Sequence, residues 1–166
     1  MKKLLSLMLF LPFSLFASIG GGLSAHNLSN IDSGYGDLDF SVNSINGVWE
    51  STRNDSLAFQ VKVGLGLSKD KDRDEDGDFY EFEVNNLIQL KGMYFLNDNI
   101  YAAATYSRFD VDTYNDYTGE SGSDSESDLG FMLGYRKDKL DLYFGPTYDE
   151  GADGEIMEFG FTYFFN

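Results

Sequence analysis

Along most of the chain apolar side chains fall at every second position, the period of a β-strand with one face in an apolar medium. The cleanest run sets Leu57, Phe59, Val61, Val63, Leu65 and Leu67 against Ala58, Gln60, Lys62, Gly64, Gly66 and Ser68. The C-terminal stretch repeats it, with Met157, Phe159, Phe161, Tyr163 and Phe165 alternating with Glu158, Gly160 and Thr162. A strand at the chain's end needs a neighbour on each edge, and closure against the first strand supplies one. The alternation predicts eight strands, over about 18–27, 39–52, 57–68, 79–94, 100–111, 129–136, 140–148 and 158–166.

Two strands break the pattern. In the second, Phe40 and Val42 have one parity while Ile45 and Trp49 have the other, which predicts a bulge near Ser44 and places Trp49 at the strand end. In the fourth, Tyr80, Phe82, Val84, Ile88 and Leu90 share a face opposite Glu81, Glu83, Asn85, Gln89 and Lys91, and Asn86 interrupts the apolar row. In the fifth, Tyr101, Ala103, Phe109 and Val111 are expected on the apolar face and Ala102, Ala104, Tyr106 and Arg108 on the other.

The connections alternate in length. Short turns at 53–55, 97–99 and 137–139 separate long polar segments at 28–38, 69–78, 112–128 and 149–155. Counted through Asp39 in the first, the long segments hold nineteen of the 28 acidic residues, so one end of a closed barrel would be strongly anionic. A formal net charge of −16 argues against a nucleic-acid partner.

Composition agrees with a β-protein: 18 glycines, 15 phenylalanines and 11 tyrosines stand against 2 prolines, and with no cysteine there is no disulfide framework. Lys2 and Lys3, an apolar run from Leu4 to Phe16, and small residues at Ala17 and Ser18 predict a secretory signal peptide over 1–17, leaving 18–166 as one domain. The run is shorter than the roughly 20 residues of a spanning helix. A chain of this kind that enters a membrane does so as a closed barrel, the other structure that satisfies every backbone polar group in lipid.

Glu158, Gly160, Tyr163 and Phe165 resemble the C-terminal signal by which outer-membrane β-barrels are recognised by their assembly machinery, except that the chain ends on Asn166 rather than on the aromatic residue. With an even strand count and alternating short and long connections, the chain as a whole resembles the small eight-stranded outer-membrane barrel family, like the barrel of outer-membrane protein A. The resemblance implies an all-β antiparallel up-and-down transmembrane barrel in the bacterial outer membrane. Its long loops would be extracellular, lipid and lipopolysaccharide would surround it, and it would be a monomer. The charged residues of the polar rows, Lys62, Lys91, Arg108 and Arg136 with Glu81, Glu83, Asp141 and Glu158, are then expected inside, where an eight-stranded interior is filled by side chains and charges must be paired.

One long segment matches the calcium loop of EF-hands. Asp72, Asp74, Asp76 and Asp78 take positions 1, 3, 5 and 7, Gly77 position 6, Phe79 position 8 and Glu83 position 12, oxygen donors suited to Ca²⁺, although no helices flank them. His26 is the single histidine and shares its parity with Ser24, but no acid is positioned beside them, so no catalytic residue is assigned. Eight strands are too few for an aqueous diffusion pore. The expected function is therefore a structural or surface-interaction barrel with acidic loops. The rivals are a soluble secreted lipocalin-like ligand-binding barrel, with the apolar row lining a cavity, and a calcium-binding surface adhesin.

Overall fold

The computed structural model describes residues 16–32, 37–149 and 155–165. Residues 1–15 of the expected signal peptide, the tips of the first and last long connections, and Asn166 lie outside the described residues. The strands are β1 (Phe16–Asp32), β2 (Asp37–Ser51), β3 (Leu57–Gly66), β4 (Lys69–Arg73), β5 (Phe79–Phe95), β6 (Ile100–Asn115), β7 (Ser121–Lys137), β8 (Leu140–Asp149) and β9 (Glu155–Phe164). Every pairing is antiparallel, β1 pairs with β9, and β3 pairs with both β2 and β5, so the sheet closes. β3 and β4 are one stave interrupted at Leu67 and Ser68, which makes an eight-stranded barrel.

The strands run further than the hydrophobic alternation predicts. β1 continues to Asp32, β4 occupies half of the acidic segment at 69–78, and β6 and β7 pair through Asp110↔Ser125, Asp112↔Ser123 and Tyr114↔Ser121. Serine, asparagine and aspartate in these stretches read as loop formers, but the ladder of a neighbouring strand satisfies their backbone all the same.

Beyond the lipid-like apolar band the two faces exchange character. On β2, Ser44, Asn46 and Glu50 face inward while Ile45 and Trp49 face outward; two residues further on, Phe40 and Val42 face inward and Ser41 and Asn43 outward, with no break in register. The bulge expected near Ser44 is therefore absent. What changes there is the character of the outward residues, from apolar to polar, not the direction of the side chains. β6 behaves likewise: Tyr101, Ala103, Phe109 and Val111 all point inward, and Ala102, Ala104, Tyr106 and Arg108 outward, the reverse of the faces expected from the sequence. On β5 a true bulge lies between Val84 and Asn86 and accounts for the interruption at Asn86. It lets Phe82 and Val84 share the inner face with Leu87, Gln89 and Lys91. Gly66 sits against this bulge, where a Cβ would collide with the carbonyl of Val84.

The interior consequently has an apolar outer part built from Leu38, Phe40, Val42, Phe82, Val84, Leu87, Phe109 and Val111 with Leu28 and Ile156. Phe40 and Phe82 stack with ring centroids 5.4 Å apart. Beneath it lies a polar middle, and beneath that a mixed cluster of Ala58, Met93, Phe95, Tyr101, Ala103, Met132 and Tyr143.

Candidate functional site

The polar middle is the densest collection of charge in the barrel. Glu158, fully buried on β9, accepts a hydrogen bond from the ammonium of Lys62 on β3 at one oxygen and from Gln89 Nε2 at 2.8 Å at the other. Lys62 also donates to the Tyr143 hydroxyl at 3.2 Å, and Gln89 to Ser107 Oγ at 2.9 Å. Nearer the short turns, Arg136 spans two carboxylates, Glu50 and Asp141, the latter at 3.1 Å. Gln60 bridges the same pair, at 2.7 Å to Glu50 and 3.3 Å to Asp141, and the Tyr101 hydroxyl donates to Asp141 at 2.8 Å. Lys91 stands 3.6 Å above the centre of the Tyr143 ring.

Two glycines permit this. Tyr101 pairs with Gly134 across β6 and β7, and Tyr143 with Gly160 across β8 and β9. A Cβ at either glycine would run into the opposite phenol ring. Each ring lies along the inner wall over a bare strand, and its hydroxyl thereby reaches the charges beyond.

Of the residues expected inside, Lys62, Lys91, Arg136, Asp141 and Glu158 line the interior. Glu81, Glu83 and Arg108 require correction, because all three point away from it. The β5 bulge between Val84 and Asn86 shifts Glu81 and Glu83 off the face of Gln89 and Lys91, and Arg108 lies on β6 where the outward face has become polar. Glu50 was missed, since the supposed bulge in β2 reversed the parity beyond Ser44; following the parity of Ser44 and Asn46 without interruption finds it. In the polar middle Lys62, Lys91 and Arg136 face Glu50, Asp141 and Glu158, while Asp128 on β7 is a further buried carboxylate. Buried charges in a closed low-dielectric interior must be paired or hydrogen-bonded.

The calcium-loop residues are not brought together. Asp72 Oδ2 accepts the backbone N–H of Asp39 at 2.6 Å, as Asp70 Oδ2 accepts that of Ser41 at 2.7 Å. With Ser68 Oγ accepting the Asn43 N–H at 3.1 Å, these side chains replace the ladder carbonyls missing between β4 and β2. Asp74 closes the β4–β5 turn by accepting the Asp78 N–H at 2.9 Å, with Gly77 at φ 94°. Asp76 lies in that turn, and Glu83 is on β5 opposite Lys69. Among the described residues no three acidic or histidine side chains gather as a metal site.

On the outer face of the same hairpin, Glu81 holds Lys71 and, at 2.8 Å, Lys69. Hydrogen bonds from these two ammonium groups keep the Glu81 carboxyl below its usual range, and raise Lys69 in return. The carboxyl of Asp78 is shifted up, first by desolvation and then by Asp74, Asp76 and Asp116. His26 and Ser24 both face inward, 3.3 Å apart from Nε2 to Oγ. Ser24 also meets Ser44 at 2.8 Å and accepts from Asn46 at 3.0 Å, which makes it a link in a wall-spanning polar chain rather than an activated nucleophile.

On β9, Glu158 and Gly160 take the inward positions and Tyr163 an outward one, and Phe165, just past the strand, is exposed. No known family description and no curated protein matches the chain in sequence. In structure it is similar to Ail, the attachment invasion locus protein of Yersinia pestis, solved in complex with the heparin analogue sucrose octasulfate. That match has 10% identity and a TM-score of 0.59, over 89% of this chain and 98% of that one. A second structure of Ail gives 14% identity and a TM-score of 0.54, over 89% and 97% of the two chains. Neisserial surface protein A gives 14% and 0.53, over 87% and 96%. The shared property is the fold, the closed eight-stranded antiparallel barrel of small outer-membrane proteins.

Proposed function

We propose that the chain is an integral outer-membrane barrel with a structural or surface-interaction role, its four acidic connections outside and its short turns in the periplasm. The observation that carries this reading is the placement of large apolar side chains on the outer wall while the charges are inside. Phe59, Leu65, Phe131 and Phe165 are each more than 60% exposed, whereas Lys62, Asp141 and Glu158 are all but inaccessible. A soluble ligand-binding barrel would reverse these two sets, and a continuous exposed apolar band of this extent is an aggregation hazard in water.

The interior is filled by its own side chains, the Phe40–Phe82 stack at one level and the Lys62–Glu158 pair at the next, so the barrel neither conducts nor catalyses in this reading. β9 presents Glu158, Gly160, Tyr163 and Phe165 as the assembly signal, and the chain before Ser18 serves as the exported leader. Recognition of a sulfated polysaccharide analogue, named for one structural neighbour, does not transfer readily: the outer end here carries most of the carboxylates and would repel a polyanion. A basic partner suits it better.

Detergent extraction of outer membranes, followed by gel migration with and without heating, tests the reading. The folded barrel is expected to migrate faster unheated and to remain in the membrane fraction after alkaline wash. Recovery in the soluble periplasmic fraction would overturn it.

A further inference from the structure

We infer that the outer wall of β6–β9 holds one anionic phospholipid of the leaflet on the short-turn side, its acyl chain in an apolar groove and its phosphate on Lys137. This rests on the outer-membrane reading above. The groove, about 710 Å³, runs between two cross-strand rows of outward side chains. The lower row is Ile100, Tyr135 and Leu142, and the upper is Leu133, Phe144 and Phe159, with consecutive members paired in register. Its floor is the bare backbone at Gly134 and Gly160, the two glycines that carry the inner tyrosines. The same glycines that let phenol rings lie flat inside thus leave the wall thin outside. Phe144 and Phe159 stack nearly parallel at 6.4 Å and stiffen the upper rim.

Charge decides which lipid fits. Lys137 has the parity of Leu133 and Tyr135 and lies two residues below Tyr135 on β7, a rise of about 7 Å, which is the step from acyl chain to headgroup level. Among the described residues its ammonium makes no ion pair, unlike Arg53, which faces Asp98. Lys139, in the same turn, donates to the Phe165 carbonyl at 3.0 Å and adds a second positive charge; Asp138 between them is the one acid of this turn. An apolar slot ending on a free ammonium at the water boundary is complementary to a phosphodiester with a fatty chain, and less so to a zwitterionic lipid, whose own ammonium would compete.

Native mass spectrometry of the full chain in mild detergent, with phosphatidylglycerol or phosphatidylcholine added, tests this. One phosphatidylglycerol per barrel is expected to stay bound where phosphatidylcholine is lost. Lys137→Gln should lower its retention about fivefold, the loss of one lysine's attraction to an anionic headgroup. Leu142→Trp, which fills the groove from outside, should do the same, and Lys71→Gln at the opposite end should change nothing. Heat-dependent gel migration confirms in parallel that each variant is folded. Equal retention of the two lipids, or of phosphatidylglycerol by parent and both variants, overturns the lipid site alone. A chain that is folded in detergent but enters vesicles of neither lipid overturns the membrane reading with it.

Discussion

The two parts of the barrel interior obey opposite rules. Toward the short turns it is polar, with Glu50, Gln60, Lys62, Gln89, Asp141 and Glu158 packed together behind a wall of outward leucines and phenylalanines. Toward the long connections it is apolar, and the outward positions carry Ser41, Asn43, Glu81, Glu83 and Asp112. In the outer-membrane reading one fold is a membrane barrel below and a water-soluble barrel above, and the level at which the faces exchange, around Ser44 on β2 and Asn86 on β5, marks the edge of the lipid. The inner residues pack the same lumen throughout; the solvent outside the wall decides which face can be greasy.

The comparison breaks most visibly at the ion pair. Glu158→Leu leaves the Lys62 ammonium buried without its counter-charge and should cost about 3–5 kcal/mol, read as a lower urea midpoint for the barrel in lipid vesicles. Adding Lys62→Met should recover most of the loss; no recovery would mean that Glu158 acts through Gln89 instead. In the apolar part, Phe82→Ala should cost about 3 kcal/mol by opening a cavity beside Phe40. The outward Phe131→Ala, whose side chain faces lipid in either case, should cost clearly less in the same assay.

A smaller effect tests the seam. Asp72→Ala removes the acceptor for the Asp39 amide and should cost about 1 kcal/mol, with faster hydrogen exchange at Asp39 but not at Val48 in the inner part of β2. The smallest is a pH effect on the solvated hairpin. Because the Glu81 carboxyl is held below its ordinary value of 4.5, its contacts with Lys69 and Lys71 contribute above that pH and are lost as pH falls through the lower folded value. An NMR titration of Glu81 should give a midpoint below 4.5, and one at or above it would dismiss the ion pairs.

β8, β9 and the part of β7 from Leu129 on were legible because they carry apolar residues outward through the band and polar or small ones inward, so a single parity rule reads them; the part of β7 from Ser121 to Asp128 was read as loop. β2 and β6 were not, because the outward face of each changes from apolar to polar along its length and the rule changes sign on the way. The crossing explains the misplacing of Arg108 and, through the bulge wrongly expected in β2, the oversight of Glu50, whereas Glu81 and Glu83 were misplaced by the unforeseen bulge between Val84 and Asn86 on β5. The calcium pattern at Asp72–Glu83 failed to assemble for a related reason: spacing along a loop was read where the chain makes a hairpin, and Asp72 is already engaged by the backbone of β2.

From the sequence alone follow the period of the strands, the alternation of short and long connections and the concentration of acid at one end, since each depends only on local order along the chain. The partners of the buried charges, the closing of the β4 seam by carboxylates and the level at which inside and outside exchange character were decided by tertiary structure. Each depends on which strands lie side by side and on the medium behind the wall, and no single strand carries that information.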